Sequence, residues 1–336
     1  MISSITFRNF KALRSAKLSL GPFNLVVGAN GSGKTSLIQA LLLLRGLTKL
    51  PIKDAHGTTP PIASPEIDFT FDPPFAGLEV QMACSSDFIC DLLKVRSASP
   101  GLWEQAKKEI LRIRSYLFDH YAMGAPAALE SGGELSGNGG NLAAVLARWH
   151  REKPELFSRL EREFCRMLNE FAGLEVVMAG DGRVSLAGRL NEQQERVAAE
   201  NMSQGTLYTL GILVLAFEPQ PPAIVCVEEI DRGIHPRLLR DVRDAFYRLS
   251  HPSAYGEARA PVQIVATTHS PYLLDLFKDH PDEVVIAQKD GREAHFERLV
   301  ERPDYQELLS EGSLGDLWFS GILGGVPREK LTEDDR

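Results

Sequence analysis

The spacing of hydrophobic positions changes several times along the chain, and each change predicts an element. Short β-branched and apolar runs bracketed by turn formers predict strands at residues 4–7 and 23–28. The second strand runs straight into a glycine-rich stretch and then a helix at 36–44. Four prolines between Pro51 and Pro65 predict a long surface loop, followed by a strand pair at 67–71 and 78–83 around Asp72-Pro73-Pro74. Trp103, Ile110, Ile113, Leu117 and Tyr121 then fall at roughly helical spacing, so the middle of the chain is expected to turn mostly helical.

Residues 129–141, rich in glycine and serine, read as a flexible loop. A helix is expected at 141–150 and another from Pro154, with Leu156, Leu160, Phe164, Leu168 and Phe171 as a core-facing stripe. Gly180-Asp181-Gly182 between apolar runs at 174–178 and 183–187 signals a hairpin. A helix follows from about Thr206. The runs at 224–227 and 262–266, almost wholly apolar and separated by a helix at 236–249, have the pattern of buried parallel strands. A last strand pair is expected near 283–300.

Composition narrows the classes. The chain has 336 residues, 43% hydrophobic and 24% charged, as expected of a folded globular protein. No apolar stretch reaches the roughly 20 residues that span a bilayer, and the expectation is a cytoplasmic protein without a membrane partner. Cys84, Cys90, Cys165 and Cys226 form no metal-binding spacing and are expected to be reduced and structural. A net charge of −8 argues against a surface that attracts nucleic acid as a whole, though Arg8, Lys11, Arg14 and Lys17 form a local basic candidate.

The chemistry concentrates at a few points. Gly28-Ala29-Asn30-Gly31-Ser32-Gly33-Lys34-Thr35, followed by Ser36, matches G-x-x-x-x-G-K-T between a strand and a helix. Backbone N–H groups of such a loop wrap phosphates, Lys34 meets the β and γ phosphates, and the Thr35 hydroxyl serves Mg²⁺. Ile224–Val227 ends in Glu228 and Glu229. The first is the candidate for the Mg²⁺ shell and the second for the general base. His269, following the last apolar strand, is placed to contact the γ phosphate and the attacking water.

With these residues in view, the chain resembles the RecF, SMC and OLD-like branch of ABC-type ATPases, especially short stand-alone bacterial ATPases of AAA type related to RecF. The likeness rests on Ile5-Thr6-Phe7-Arg8-Asn9-Phe10-Lys11, Met202-Ser203-Gln204-Gly205-Thr206, Glu228 through Pro236 and Thr268-His269-Ser270-Pro271. Gly140 through Leu146 and Leu314-Gly315-Asp316-Leu317-Trp318 also take part, so it spans nearly the whole chain.

The resemblance implies an α/β P-loop NTPase of ABC type with a mixed sheet, an N-terminal antiparallel β portion and an inserted mainly helical subdomain. Residues 1–50 and 200–336 would form the ATPase head and 51–199 an inserted β/helical lobe. Ser203 and Gly205 match a signature that acts in trans on ATP held by a partner subunit, which implies a homodimer with ATP at its interface. Ser203 is equally suited to be an ordinary helix N-cap. Leu129-Glu130-Ser131-Gly132-Gly133-Glu134 looks closer to the general ABC signature, but no apolar helix follows it directly. His235 stands where transporter ATPases usually place aspartate and is expected to touch the dimer partner. The Mg²⁺-sensing glutamine is not assigned, with Gln39 and Gln81 both open. Relatives act in DNA maintenance or phage defence, which implies an effector protein or DNA as partner. The short remainder after His269 leads to no expectation of an intrinsic nuclease.

Overall fold

The computed structural model describes residues 1–50, 64–87, 89–191 and 195–324. The proline-rich loop lies outside the described residues except for Ser64 and Pro65. The chain opens on β1 (Ile2–Phe10) and β2 (Leu13–Ser19), where Ile5, Phe7 and Phe10 face a core and intervening residues do not. β3 (Phe23–Gly28) is buried along its whole length, as a strand covered on both faces must be, and leads through the glycine-rich loop into α1 (Lys34–Thr48). β4 (Glu66–Phe71), β5 (Leu78–Cys84) and β6 (Cys90–Ser97) follow, then α2 (Leu102–Ile110) and β7 (Ile113–Tyr116).

Next come α3 (His120–Gly124), β8 (Ala127–Ala128), α4 (Leu142–Glu152) and α5 (Pro154–Met167). The expected hairpin is β9 (Phe171–Gly180) and β10 (Arg183–Leu190), joined by β11 (Arg196–Ala198). α6 (Gln204–Phe217) is apolar all round and buried from Thr206 to Ala216, the signature of a helix inside a core. β12 (Ile224–Val227), α7 (Leu239–Ser250), β13 (Gln263–Thr268) and α8 (Pro271–Asp275) succeed it. β14 (Val284–Asp290), β15 (Glu293–Arg298), α9 (Tyr305–Glu311) and α10 (Leu314–Phe319) complete the described chain.

These elements form two compact units. The first comprises Met1–Ile113 and the chain from Val265 onward. It holds an antiparallel sheet in the order β2-β1-β4-β5-β6, and beside α1 the order β15-β14-β3-β13. β14 runs parallel to β3 with Ala287 opposite Gly28, while β14 and β15 are antiparallel, so the sheet is mixed. The second unit, Arg114–Ile264, holds the hairpin sheet β11-β10-β8 with β9 on β10, and β12 between β7 and the opening residues of β13. β13 carries the chain from the second unit to the first.

Three local expectations are corrected. Ile113 lies in a strand, not in a continued helix: with Ile110 and Leu117 its spacing satisfies a helical template, but pairing beside β12 decides the conformation. Cys84 and Cys90 are joined in a disulfide rather than both reduced, because the β5–β6 register sets them opposite each other, which the spacing alone does not reveal. The loop at 129–141 is pinned, not flexible. Asn141 Nδ2 donates to the carbonyls of Ser131 (2.7 Å) and Glu134 (2.9 Å), and its Oδ1 accepts from Ser136 N–H (2.8 Å).

Candidate nucleotide site

The phosphate loop belongs to the first unit, and close packing shapes it. A Cβ on Gly28 would lie 2.3 Å from the Ala287 carbonyl oxygen and 2.6 Å from Ser32 Oγ, so only glycine allows β3 and β14 to approach here. Gly33, at φ 93°, is the N-cap of α1, and a Cβ there would meet Leu13 Cδ2 at 2.9 Å. The loop is thereby forced to expose backbone N–H groups at the positive end of a 15-residue helix.

Lys34 is buried, and its Nζ donates to the carbonyls of Gly28 (2.6 Å) and Ala29 (2.8 Å). Ser32 Oγ is buried and has no hydrogen-bond partner among the described residues. A buried cation turned onto its own loop, an unsatisfied hydroxyl and a helix N-terminus together fit the phosphates of a nucleoside triphosphate. Asn30, Gly31 and Thr35 are exposed and Ser36 is half-buried, at the open side of the same loop. Lys289, which the sequence reading did not single out, brings Nζ to 3.5 Å from the position of a Cβ on Gly31. No local signal marked it, since it lies at the far end of β14.

His269 is in the same unit, exposed immediately after β13. Its turn is built by two hydroxyls. Thr268 Oγ1 accepts from Ser270 N–H (2.9 Å), and Ser270 Oγ caps α8 by accepting from Leu273 N–H (3.3 Å).

The candidate acids and the candidate signature residues belong to the second unit. Glu228 is half-buried at the end of β12, where its N–H donates to the Tyr116 carbonyl (3.0 Å). Glu229 is exposed and adopts φ 50°, a left-handed conformation that is uncommon for a non-glycine residue and a form of strain that clusters at functional sites. Arg232 Nε stands 3.6 Å from Glu229 Oε2, both half-exposed, so the pair holds the carboxylate only weakly. Cys226, behind the acids, is fully buried. Burial pushes its thiol far up, with Glu228 adding to the shift, which keeps it a neutral packing group.

Ser203 is the N-cap of α6, its Oγ accepting from Thr206 N–H at 3.1 Å. Ser203 is exposed and Gly205 half-buried. A Cβ on Gly205 would meet the Gly233 carbonyl oxygen at 2.6 Å, so the start of α6 and the turn after the two acids are packed against one another. His235 Nδ1 accepts from Arg237 N–H (3.2 Å) and shapes the start of the helical segment that continues into α7. The alternative glycine pair is committed elsewhere: a Cβ on Gly132 would meet the Ala144 carbonyl oxygen at 2.6 Å, against α4.

Both glutamines left open belong to the first unit. Gln39 accepts from Lys11 Nζ, and Gln81 Nε2 lies 3.5 Å from Glu66 Oε2. Of the basic candidates, Arg8 is paired with Glu66 (2.9 Å) and Asp68 (2.6 Å), while Arg14 and Lys17 are exposed on β2. Among the described residues no cluster of histidine, cysteine and acidic residues forms a preassembled metal site, and no helix is long and apolar enough to cross a membrane.

A phosphate loop on a buried strand, beside a mixed sheet, with an acid pair ending another strand, defines a P-loop ATPase fold of the SMC-head kind. An SMC head bound to the C-winged helix domain of ScpA matches with a TM-score of 0.56 over 88% of this chain and 96% of that one, at 15% identity. The Smc head domain with an extended coiled coil, bound to the C-terminal domain of ScpA derived from Pyrococcus furiosus, gives 0.55 over 92% and 98%, at 14% identity. At such identities the likeness is one of fold.

Residues 107–275, half of the chain, match the family model described as "AAA domain, putative AbiEii toxin, Type IV TA system", and residues 1–97 match one described as "AAA ATPase domain". The chain belongs to the first of these families, one of AAA ATPase domains, and its opening residues match the second. A stretch of 44 residues is 50% identical to the DNA replication and repair protein RecF of Actinobacillus pleuropneumoniae, in serotype 5b (strain L20) and serotype 3 (strain JL03). It covers 13% of this chain and 12% of the length of those relatives.

Proposed function

We propose that the protein hydrolyses ATP as a cytoplasmic homodimer holding two ATP molecules at its interface, and that the cycle drives an effector protein in DNA maintenance or phage defence. The observation that carries the nucleotide reading is the phosphate loop itself, with Lys34 bonded to its own carbonyls and Ser32 Oγ unsatisfied at the N-terminus of α1. Lys34 exchanges those carbonyls for the β and γ phosphates, and the N–H groups from Asn30 to Ser36 take the remaining oxygens. Thr35 and Glu228 would hold Mg²⁺, which when bound neutralises charge on the β and γ phosphates.

Glu229 takes a proton from water as the water oxygen bonds to the γ phosphorus and the bond to the bridging oxygen breaks, leaving ADP and phosphate. His269 orients that water. Ser203 and Gly205, at the start of α6, close on the γ phosphate held by a second copy, in a self-complementary interface. Residues 1–50 and 200–336 serve as the head in this reading, with 51–199 as the inserted lobe. The similar SMC heads are bound to domains of ScpA, which supports an effector docked on the ATPase.

Sizing the Glu229→Gln protein with Mg²⁺-ATP tests the reading: it doubles in mass with ATP and not with ADP. A single-chain mass under both conditions overturns the dimer.

A second reading, a slow nucleotide-gated switch that regulates a partner without acting on DNA, is favoured by the exposed, Arg232-paired Glu229 and by the two carboxylates that occupy Arg8. Turnover measured with and without DNA separates the two. Stimulation by DNA supports DNA maintenance, and a slow rate indifferent to DNA supports the switch.

A further inference from the structure

Four hydrogen-bonded or close-packed junctions in the second unit connect the catalytic acids to the signature, and they centre on a segment with no recognised motif. β7 exits through Tyr116, Leu117, Phe118, Asp119 and His120. At one end the Tyr116 carbonyl accepts from Glu228 N–H (3.0 Å). In the middle the Phe118 carbonyl accepts from the buried Tyr208 hydroxyl on α6 (2.6 Å). At the far end His120 Nε2 lies 3.0 Å from the carbonyl of Met202, the residue before Ser203. A carbonyl only accepts, so Nε2 carries the proton and donates.

The intervening residues face the other way. Leu117 N–H donates to the Gly137 carbonyl (2.9 Å) and Asp119 N–H to the Asn138 carbonyl (3.0 Å), within the loop that Asn141 pins. The segment is therefore braced on both edges, as a strand is, and moves as a piece. The contact of Gly205 with the Gly233 carbonyl makes the fourth junction, closing the loop from signature back to acids.

We propose that residues 116–120 form a bracket, with His120 as its positioning residue, that couples the signature to the acid pair of the same chain. The inference rests on the proposed trans action of Ser203 and Gly205. In a two-fold pair the signature of one copy meets the ATP of the other, whereas Glu229 serves the ATP of its own chain. A bracket between them makes closure on one nucleotide reposition the base at the other, so the two sites fire together. ATP affinity of the single chain is set in the first unit and does not depend on the bracket.

The test compares wild type, His120→Ala, His120→Gln and Tyr208→Phe for ATP affinity, turnover and the Hill coefficient of hydrolysis. Wild type shows a Hill coefficient between about 1 and 2, bounded by the number of sites. His120→Ala lowers turnover about tenfold, the scale of one hydrogen bond, and brings the Hill coefficient to about 1 without changing ATP affinity. His120→Gln, whose amide nitrogen can occupy the place of Nε2, restores both. Tyr208→Phe, which removes only the Phe118 contact, lowers the Hill coefficient and decides the matter if His120→Ala loses its melting transition.

A wild type that associates and hydrolyses, with stable variants that keep its turnover and Hill coefficient, overturns the bracket alone. A wild type that binds ATP but stays single overturns the dimer reading and the bracket's function with it.

Discussion

The phosphate loop and the acid–signature half are built on opposite principles. The loop is nine consecutive residues whose shape is dictated by what cannot be added: Gly28 faces Ala287 and Ser32, and Gly33 faces Leu13. The second half gathers residues from three separate stretches, near 116–120, 203–205 and 228–235, and holds them by single hydrogen bonds and one glycine contact. Glu229, the proposed base, is exposed, in left-handed backbone and loosely paired with Arg232. A site that grips phosphate is preorganised locally, whereas one proposed to close on a partner is assembled from separate stretches of chain.

Five substitutions break or sharpen this contrast. Glu229→Gln removes the base and nothing that binds, so steady-state turnover drops about 10²–10⁴-fold while ATP stays bound; a normal rate would end the assignment of Glu229. Lys34→Ala strikes the preorganised half, and the loss of charged hydrogen bonds to phosphate weakens ATP affinity on the order of 100-fold, read by titration with a fluorescent ATP analogue.

Gly205→Ala forces a methyl onto the Gly233 carbonyl and destabilises the second unit by about 1–3 kcal/mol in a denaturant titration, as overpacking does. The smallest stability effect is that of Ser203→Ala, about 1 kcal/mol from the lost cap on α6. Ser203→Arg, tested alongside, retains ATP binding and abolishes ATP-dependent association. If the arginine variant associates like the alanine one, Ser203 is a cap and nothing more.

Legibility differs between the halves for the same reason. Gly28 through Thr35 could be read directly, because every requirement of a phosphate loop is local: glycines at fixed offsets, one lysine, a strand before and a helix after. β12 was equally plain, as four buried apolar residues ending in two acids. β7 was not, because Ile110, Ile113, Leu117 and Tyr121 fit a helical period, and only a neighbouring strand distant in sequence makes 113–116 extended. The pairing of Cys84 with Cys90, the approach of Lys289 to Gly31 and the reach of His120 to Met202 were hidden likewise.

What the sequence alone determined is the strand–loop–helix of the phosphate loop, the hairpin at 174–187, the buried strands that carry the candidate acids and histidine, and those candidates themselves, since each is encoded in a few neighbouring residues. The tertiary structure decided which carbonyls and glycines meet: that Gly28 must be bare for β14 to pass, that Arg8 is occupied by two carboxylates, that the exit of β7 touches both Glu228 and Met202. Those contacts join residues up to hundreds of positions apart. Their partners are set by strand pairing and core packing, which no local pattern records.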